Sequence, residues 1–393
     1  MIKLPEQALI VLNELEKNGY EAYLVGGFVR DLLLNRPTHD IDCATNALPD
    51  EIERVFSNYK QSQIGKDHGT IGVKVNQDWI EITTYRLDDE TKDHRRPKSV
   101  IFTPLLKEDV IRRDFTINAL AINQKGEIID FVHGQEDLKA KVIRSVGNPE
   151  LRFYEDSLRI LRGIRFACQL NFEIEKNTLE AMHKQAYLLN ALAVERIYQE
   201  FKLMIDSNNI FTHLSYTKDI ISVFLPEIID IDFSILSKID QCDTWLKRYS
   251  LFFINRDEES IRVRCNHLKM PKKLIKECVD FHYSYKHDYN GQEIDIKRMM
   301  QSYPSSILLE SMELKKLIDP NNFNKNSYEL IKKMIHENVV VSIKDLKIDG
   351  HDLIALNYKG KAIQEKLNEC LEAVMLNKVE NTKEALLTWV NLT

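Results

Sequence analysis

The 393-residue chain has no Cys-x-x-Cys pair, no long apolar run, no internal repeat and no low-complexity segment. Its six cysteines (Cys43, Cys168, Cys242, Cys265, Cys278, Cys370) are widely spaced. That spacing argues against a disulfide framework and a zinc ribbon, and suits a reducing cytosol. No stretch reaches the length needed to cross a bilayer, so no membrane partner is expected. The opening residues, MIKLPEQALIVLNELEKNGY, mix charges into an amphipathic pattern and lack a secretory signal's apolar core and cleavage site. A cytoplasmic location is the expectation. Positive charge is also in short supply: the net charge is −6. Any nucleic-acid contact must then come from local basic patches. One candidate lies between Ile261 and His287, where seven Lys or Arg residues stand against Glu277 and Asp280. Such a patch can grip a phosphate backbone, or simply be a solvated helix face.

What the chain does have falls into two regimes. Its length allows two or more cores, and its 44% hydrophobic fraction is that of a soluble protein. Up to about Val146, strand-like runs alternate with turns: EAYLVGG, HDIDCAT, GTIGVKV, WIEITTY and AINQKGEIIDFV. Helical patterns interleave at Phe28–Leu34, Pro49–Phe56 and Asp114–Ala121. Beyond Asn148-Pro149 the apolar spacing turns to a 3.6-residue period, at Tyr154–Leu170, Thr178–Asn190, Glu195–Ile205, Leu274–Tyr283 and Gly360–Met375. This predicts an α/β head followed by a long all-helical remainder.

The densest chemistry lies between Leu24 and Thr45. Gly26-Gly27 joins a strand-like run to a helix-like one, a junction where backbone N–H groups can approach an anion. A plain tight turn uses the same pair. Arg30, one turn on, could offer a charged fork to a triphosphate. Asp40 and Asp42 lie at i and i+2, so on a strand both carboxylates share one face, about 7 Å apart at their backbones. A divalent cation with oxygen preference, Mg²⁺ above all, relieves their repulsion. Acid-x-acid alone is common: sixty acids predict about nine such spacings by chance. Following a glycine turn and an arginine, it is much less so. Glu81 is a candidate third carboxylate, set opposite Ile80 and Ile82 by strand alternation. Two-metal sites use such carboxylates to bridge ions roughly 3.5–4 Å apart. His68 reads at least as well as a turn-fixing residue as a catalytic base, and the His39-Asp40 and His351-Asp352 dipeptides lack the partners of a phosphohydrolase site.

Further on, Asp156 and Arg159 would lie about 60° apart on one helix face, with Arg162 continuing the stripe. An Asp acceptor beside an Arg fork can read a Watson–Crick edge without a template. It can also be an ordinary surface ion pair. Gly163 near that face would leave room for a flat base. Arg165 sits about 120° away, toward another part of the ligand or a buried carboxylate.

These motifs resemble those of class II CCA-adding enzymes and bacterial poly(A) polymerases. The carriers are Leu24-Val25-Gly26-Gly27-x-Val29-Arg30-Asp31 with Arg36 and Asp40-x-Asp42, then Arg112-Arg113-Asp114-Phe115-Thr116-Ile117-Asn118. They continue as Asp130 to Gly134 with Asp137-Leu138, and Glu155-Asp156-x-x-Arg159 with Arg162 and Arg165. Gly350-x-Asp352-Leu353, Gly360 and Val379-x-Asn381 resemble the tail of bacterial members. The resemblance implies an α/β nucleotidyltransferase head with a small mixed sheet, followed by an all-α neck, body and tail. The expected segments are 1–146, 147–206, 207–330 and 331–393. It implies addition of C, C and A to the 3′ end of transfer RNA from CTP and ATP, with release of pyrophosphate. Asp40 and Asp42 would hold Mg²⁺, and Glu81 stays the candidate third catalytic carboxylate from its place on the strand. Gly27, Arg30, Arg113, Arg162 and Arg165 would bind nucleotide, and Asp156 and Arg159 would select the base. Gly65-Lys66-Asp67-His68 in place of the polymerases' Gly-Arg-Arg-Phe, and the polar stretch Arg86–Pro97 that CC-only enzymes lack, favour complete CCA addition. Poly(A) synthesis, CC-only or A-only addition and a non-catalytic RNA-binding role are the alternatives. Oligomeric state is not legible.

Overall fold

Val, Ile and Thr drive the first third of the chain into strands. The computed structural model describes residues 2–38, 40–87 and 100–392. It begins with α1 (Glu6–Lys17), β1 (Ala22–Val25), α2 (Gly27–Leu33), β2 (Ile41–Thr45), α3 (Pro49–Val55), β3 (Lys60–Ser62), β4 (Thr70–Val75) and β5 (Asp78–Thr84). A small pair, β6 (Arg86–Leu87) and β7 (Ile101–Phe102), precedes α4 (Leu106–Ile111), β8 (Leu120–Ile122), β9 (Ile128–Asp130), α5 (Gly134–Ala140) and β10 (Val142–Ile143). Seven strands form one mixed sheet in the order β3-β4-β5-β2-β1-β8-β9. Within it β2 and β5 run parallel, and the remaining neighbours are antiparallel. The expected alternation holds along β5: Ile80 and Ile82 are buried and Glu81 faces the other way, exposed. Residues 88–97 of the polar stretch Arg86–Pro97, and His39, lie outside the described residues.

Helices follow: α6 (Pro149–Glu155), α7 (Leu158–Leu170), α8 (Lys176–Gln185), α9 (Val194–Ile205) and α10 (Ile210–Ser222), with β11 (Glu173–Ile174) pairing on β10. Asn148 caps α6 by accepting the Leu151 N–H, and Pro149 fills the first helical position. Three helical expectations are corrected. Asp114–Ala121 is a single 3₁₀ turn, Thr116–Asn118, that runs into β8. The Asp114 carboxylate competes for local donors there, accepting the Phe115 N–H and the Asn118 amide. Tyr154–Leu170 is two helices, because Asp156 is extended (φ −144°, ψ 100°) and its Oδ1 accepts the Leu158 N–H at 3.1 Å. The expected Thr178–Asn190 helix likewise changes to a 3₁₀ segment at Ala186.

The chain divides into two compact units, Met1–Asp230 and Ile231–Thr393. All elements named so far belong to the first. The second contains ten α-helices among the described residues, from Phe233–Leu236 to Lys383–Leu392. Its buried clusters include one around Ile296, Leu308, Met312 and Ile331 and one around Leu353, Leu367, Leu371 and Leu386. In its basic stretch, Lys273 and Lys276 face Glu277 and Asp280 one turn along their helix. No helix among the described residues is long and apolar enough to cross a membrane.

Candidate active site

Parallel pairing of β2 and β5 sets Asp42 directly beside Glu81. Asp40, exposed, stands just before β2. Burial and the neighbouring Glu81 push the Asp42 carboxyl up to about 6, with Arg113 opposing and Asp40 adding to the rise. These are oxygen donors with surplus negative charge in a half-buried place, the donor chemistry that suits Mg²⁺. Among the described residues no group of three His, Cys, Asp or Glu is arranged to hold a metal ion. Glu81 faces Asp42 in register, and its charge raises the Asp42 carboxyl.

Gly26 adopts φ +73°, and a Cβ there would lie 3.1 Å from Arg113 Nη1 and 3.5 Å from Asp42 Oδ2. The glycine lets the backbone pass between the acid and the arginine, in a conformation that other residues rarely adopt. Gly27 opens α2 and packs against the guanidinium of Arg30. Arg113 donates to Asp109 Oδ2 at 3.1 Å, while its Nε is buried without a hydrogen-bond partner. Burial pushes Asp109 up, but Arg113 and Arg112 together hold its carboxyl below the usual range. His68 ends a 3₁₀ turn whose His68 carbonyl accepts from Arg86 at 2.7 Å.

Arg30, expected as a fork for phosphate, is engaged along both edges. It donates to both oxygens of Asp31 at 3.0 and 2.8 Å and to Asn118 Oδ1 at 2.8 Å, with 5% of its side chain exposed. The Asn118 amide in turn donates to Asp114 Oδ1. Asp114 Oδ2 accepts from Arg162 Nε at 2.8 Å. Burial alone would push the Asp114 carboxyl up; Arg162, Asn118 and the Phe115 N–H outweigh it and hold the group at about 2. Glu200 closes the series, 2.6 Å from Arg165 and 3.8 Å from Arg162. Arg165 thus meets a buried carboxylate, one of its two expected directions.

Asp156 and Arg159 flank the break between α6 and α7. Asp156 Oδ2 accepts from Arg196 Nη2 at 3.0 Å. Arg159 donates to Glu155 Oε2 at 2.8 Å, to the Arg152 carbonyl and, at 3.1 Å, to the Arg112 carbonyl. Gly163 leaves no room for a base: a Cβ there would meet Met182 at 2.3 Å and Phe115 at 2.8 Å, so its face is core. The sequence reading named Asp31, Asn118 and Glu155 within motifs but gave them no site role, and it passed over Arg196 and Glu200. One signal was available. Arg196 and Glu200, four apart on α9, share a face, and that face meets Asp156, Arg162 and Arg165.

Comparison with known proteins agrees along the whole chain. The sequence profile described as Poly A polymerase head domain matches residues 22–144. Tandem matches follow to the RNA and SrmB-binding site of polymerase A over 171–229 and to tRNA nucleotidyltransferase domain 2 over 242–390. The CCA-adding enzyme of Staphylococcus epidermidis is 35% identical, across 98% of this chain and 97% of its own length. That of Staphylococcus haemolyticus is 36% identical, across 99% and 98%. The crystal structure of Bacillus stearothermophilus CCA-adding enzyme in complex with CTP matches with a TM-score of 0.82 at 27% identity, covering 98% of this chain and 96% of that one.

Proposed function

The chain belongs to the CCA-adding enzyme family, and from that premise we propose that it adds C, C and A to the 3′ end of transfer RNA without a nucleic-acid template. One observation carries the reading. Arg113 faces Asp42 and the Gly26 turn, while its neighbour Arg112 holds Arg159 through its backbone carbonyl. Phosphoryl chemistry and base selection therefore meet across a single peptide unit.

In this reading Asp40 and Asp42 hold Mg²⁺, with Glu81 as the third carboxylate beside them. Bound there, Mg²⁺ supplies Lewis-acid polarisation of phosphate oxygens and charge neutralisation. The 3′-terminal hydroxyl of transfer RNA attacks the α-phosphorus in line; the new P–O bond forms as the bond to the β-phosphate breaks, and pyrophosphate leaves. The Gly27 backbone, Arg30, Arg113, Arg162 and Arg165 orient the nucleotide, Arg30 and Arg165 largely by bracing the others. Asp156 accepts from the exocyclic amino group that cytosine and adenine share, and Arg159 donates to the adjacent ring nitrogen. Uracil and guanine present the opposite polarity at both positions and leave buried groups unpaired. Asp156 Oδ2 keeps a second lone pair beside Arg196 for this purpose. Segments 147–206, 207–330 and 331–393 act as neck, body and tail, the last two holding RNA by shape and backbone. The setting is the cytoplasm.

The test is incubation with transfer RNA ending before CCA, Mg²⁺ and single labelled nucleotides. Two C additions followed by one A are expected. Long A tracts would instead indicate a poly(A) polymerase, and two C additions with no A a CC-only enzyme. RNA binding without incorporation would indicate a non-catalytic protein.

A further inference from the structure

Three guanidinium groups surround one buried phenyl ring. Phe166 lies on α7 and is 4% exposed. The guanidinium carbon of Arg165 is 4.1 Å from its ring centroid, that of Arg30 5.0 Å and that of Arg162 5.3 Å. Phe115 meets the same ring edge-on at 5.9 Å. Arg162 and Arg165 share α7 with Phe166, whereas Arg30 arrives from α2, so the ring is a common floor for cations from the head and from the neck.

Three like charges this close repel one another. Each has an acid at its edge: Asp31 for Arg30, Asp114 for Arg162 and Glu200 for Arg165. The acids balance the charge from outside but do not hold the three groups around one centre. An aromatic face does so by its quadrupole, and it takes no N–H in return. Guanidinium donors lie in the plane of the group, so a cation drawn to the ring keeps them for acids and ligand. A carboxylate in place of the ring would consume those donors; an aliphatic side chain would not attract the charges at all.

We propose that Phe166 is a positioning residue for the nucleotide's polyphosphate, setting the array of Arg30, Arg162 and Arg165 that receives it. This rests on the reading that these arginines serve the nucleotide. Arg162, with 35% of its side chain exposed against 5% for Arg30 and 11% for Arg165, is the one a phosphate meets first. The ring acts on affinity common to all nucleotides, and base choice stays with Asp156 and Arg159.

The test replaces Phe166 in the full chain by 4-fluoro-, 3,5-difluoro- and 3,4,5-trifluorophenylalanine, which drain the ring face of negative charge while nearly preserving its shape. Equilibrium dissociation constants for CTP and ATP with Mg²⁺ are measured beside the melting temperature. They should rise stepwise with each fluorine, to about tenfold for the trifluoro protein, with a small fall in melting temperature, because the same attraction acts in the free protein, and with the preference for CTP and ATP over UTP and GTP unchanged. Phe166→Leu should weaken binding at least as much. Flat dissociation constants across the series, in a protein whose wild type binds CTP, would overturn the role given to Phe166 and leave the enzyme reading intact. A change in base preference as large as the change in affinity would also overturn it. If the wild type binds neither CTP nor ATP, the enzyme reading falls and takes this inference with it.

Discussion

The acids of the β2–β5 strand pair and the acids around the buried arginines are treated in opposite ways by one fold. At the β2–β5 pair, Asp42 is half-buried beside Glu81 and Asp40 with only Arg113 opposing, and its carboxyl is pushed up to about 6. A short way along the chain, Asp114 is buried, yet Arg162 and Asn118 hold it at about 2. Glu200 and Asp31 are matched to arginines in the same manner. Burial disfavours charge in both places, so the difference lies in what surrounds each group. The arginine cluster has its charges matched within the protein. The strand pair has its negative charge opposed by Arg113, the kind of perturbed charge set that clusters at functional sites.

Removing charge should therefore have opposite consequences in the two regions. The largest effect is expected at Asp42→Ala, where nucleotide incorporation should fall by about 10³-fold or more while transfer RNA binding, read by gel shift, survives. Asp42→Asn should be equally inactive but more stable than wild type when metal is withheld. The raised pKa means that the wild-type carboxyl stabilises the fold least above pH 6, where it is charged; the amide removes that cost, on the order of 2 kcal/mol at pH 8. Chemical denaturation with a chelator present measures it. A less stable Asp42→Asn protein would erase the contrast.

Asp114→Ala should do the reverse and destabilise by about 2 kcal/mol, since it strands Arg162 and Asn118. The pH dependence has the opposite sign too. Asp114 titrates lower in the fold than in the unfolded chain, so its contribution is complete above about pH 4 and disappears as pH falls toward 2. The denaturation midpoint of wild type should drop through that window, and that of Asp114→Asn should drop less. Gly26→Ala combines a left-handed φ with a Cβ 3.1 Å from Arg113; a cost of about 1–2 kcal/mol and a matching loss of incorporation rate are expected. The smallest effect concerns selectivity. Arg196→Ala should relax discrimination against UTP and GTP about tenfold, because Asp156 loses the partner that fixes its carboxylate, with stability changed by about 1 kcal/mol or less. Unchanged discrimination would mean that Asp156 holds its direction without Arg196.

Much of the head was legible because strand periodicity is local. The faces of Ile80, Glu81 and Ile82, and the Asp40-x-Asp42 motif leading into a strand, follow from alternation alone. The arginine cluster was legible in its arginines but not in their partners. Asp114 and Arg162 are 48 residues apart, and Asp156 and Arg196 are 40 apart; a helical pattern tells which face a residue takes, not what lies opposite. Two errors came from short-range chemistry overriding the apolar period. Asp156 bonds the N–H of Leu158 and breaks the helix, and Asp114 does the same to the segment after it. Gly163 was misread because glycine permits close packing as readily as ligand access, and Met182 and Phe115 take up the space.

The claim that the strand pair awaits a cation can be put to carboxyl-detected NMR on protein labelled at aspartate carbons, with the Asp42 signal assigned by its loss in Asp42→Asn. Without metal, Asp42 should titrate near 6, and Mg²⁺ with CTP should move that titration below the ordinary aspartate range of about 4. An Asp42 that titrates near 4 in metal-free protein and does not respond to Mg²⁺ and CTP would contradict the account.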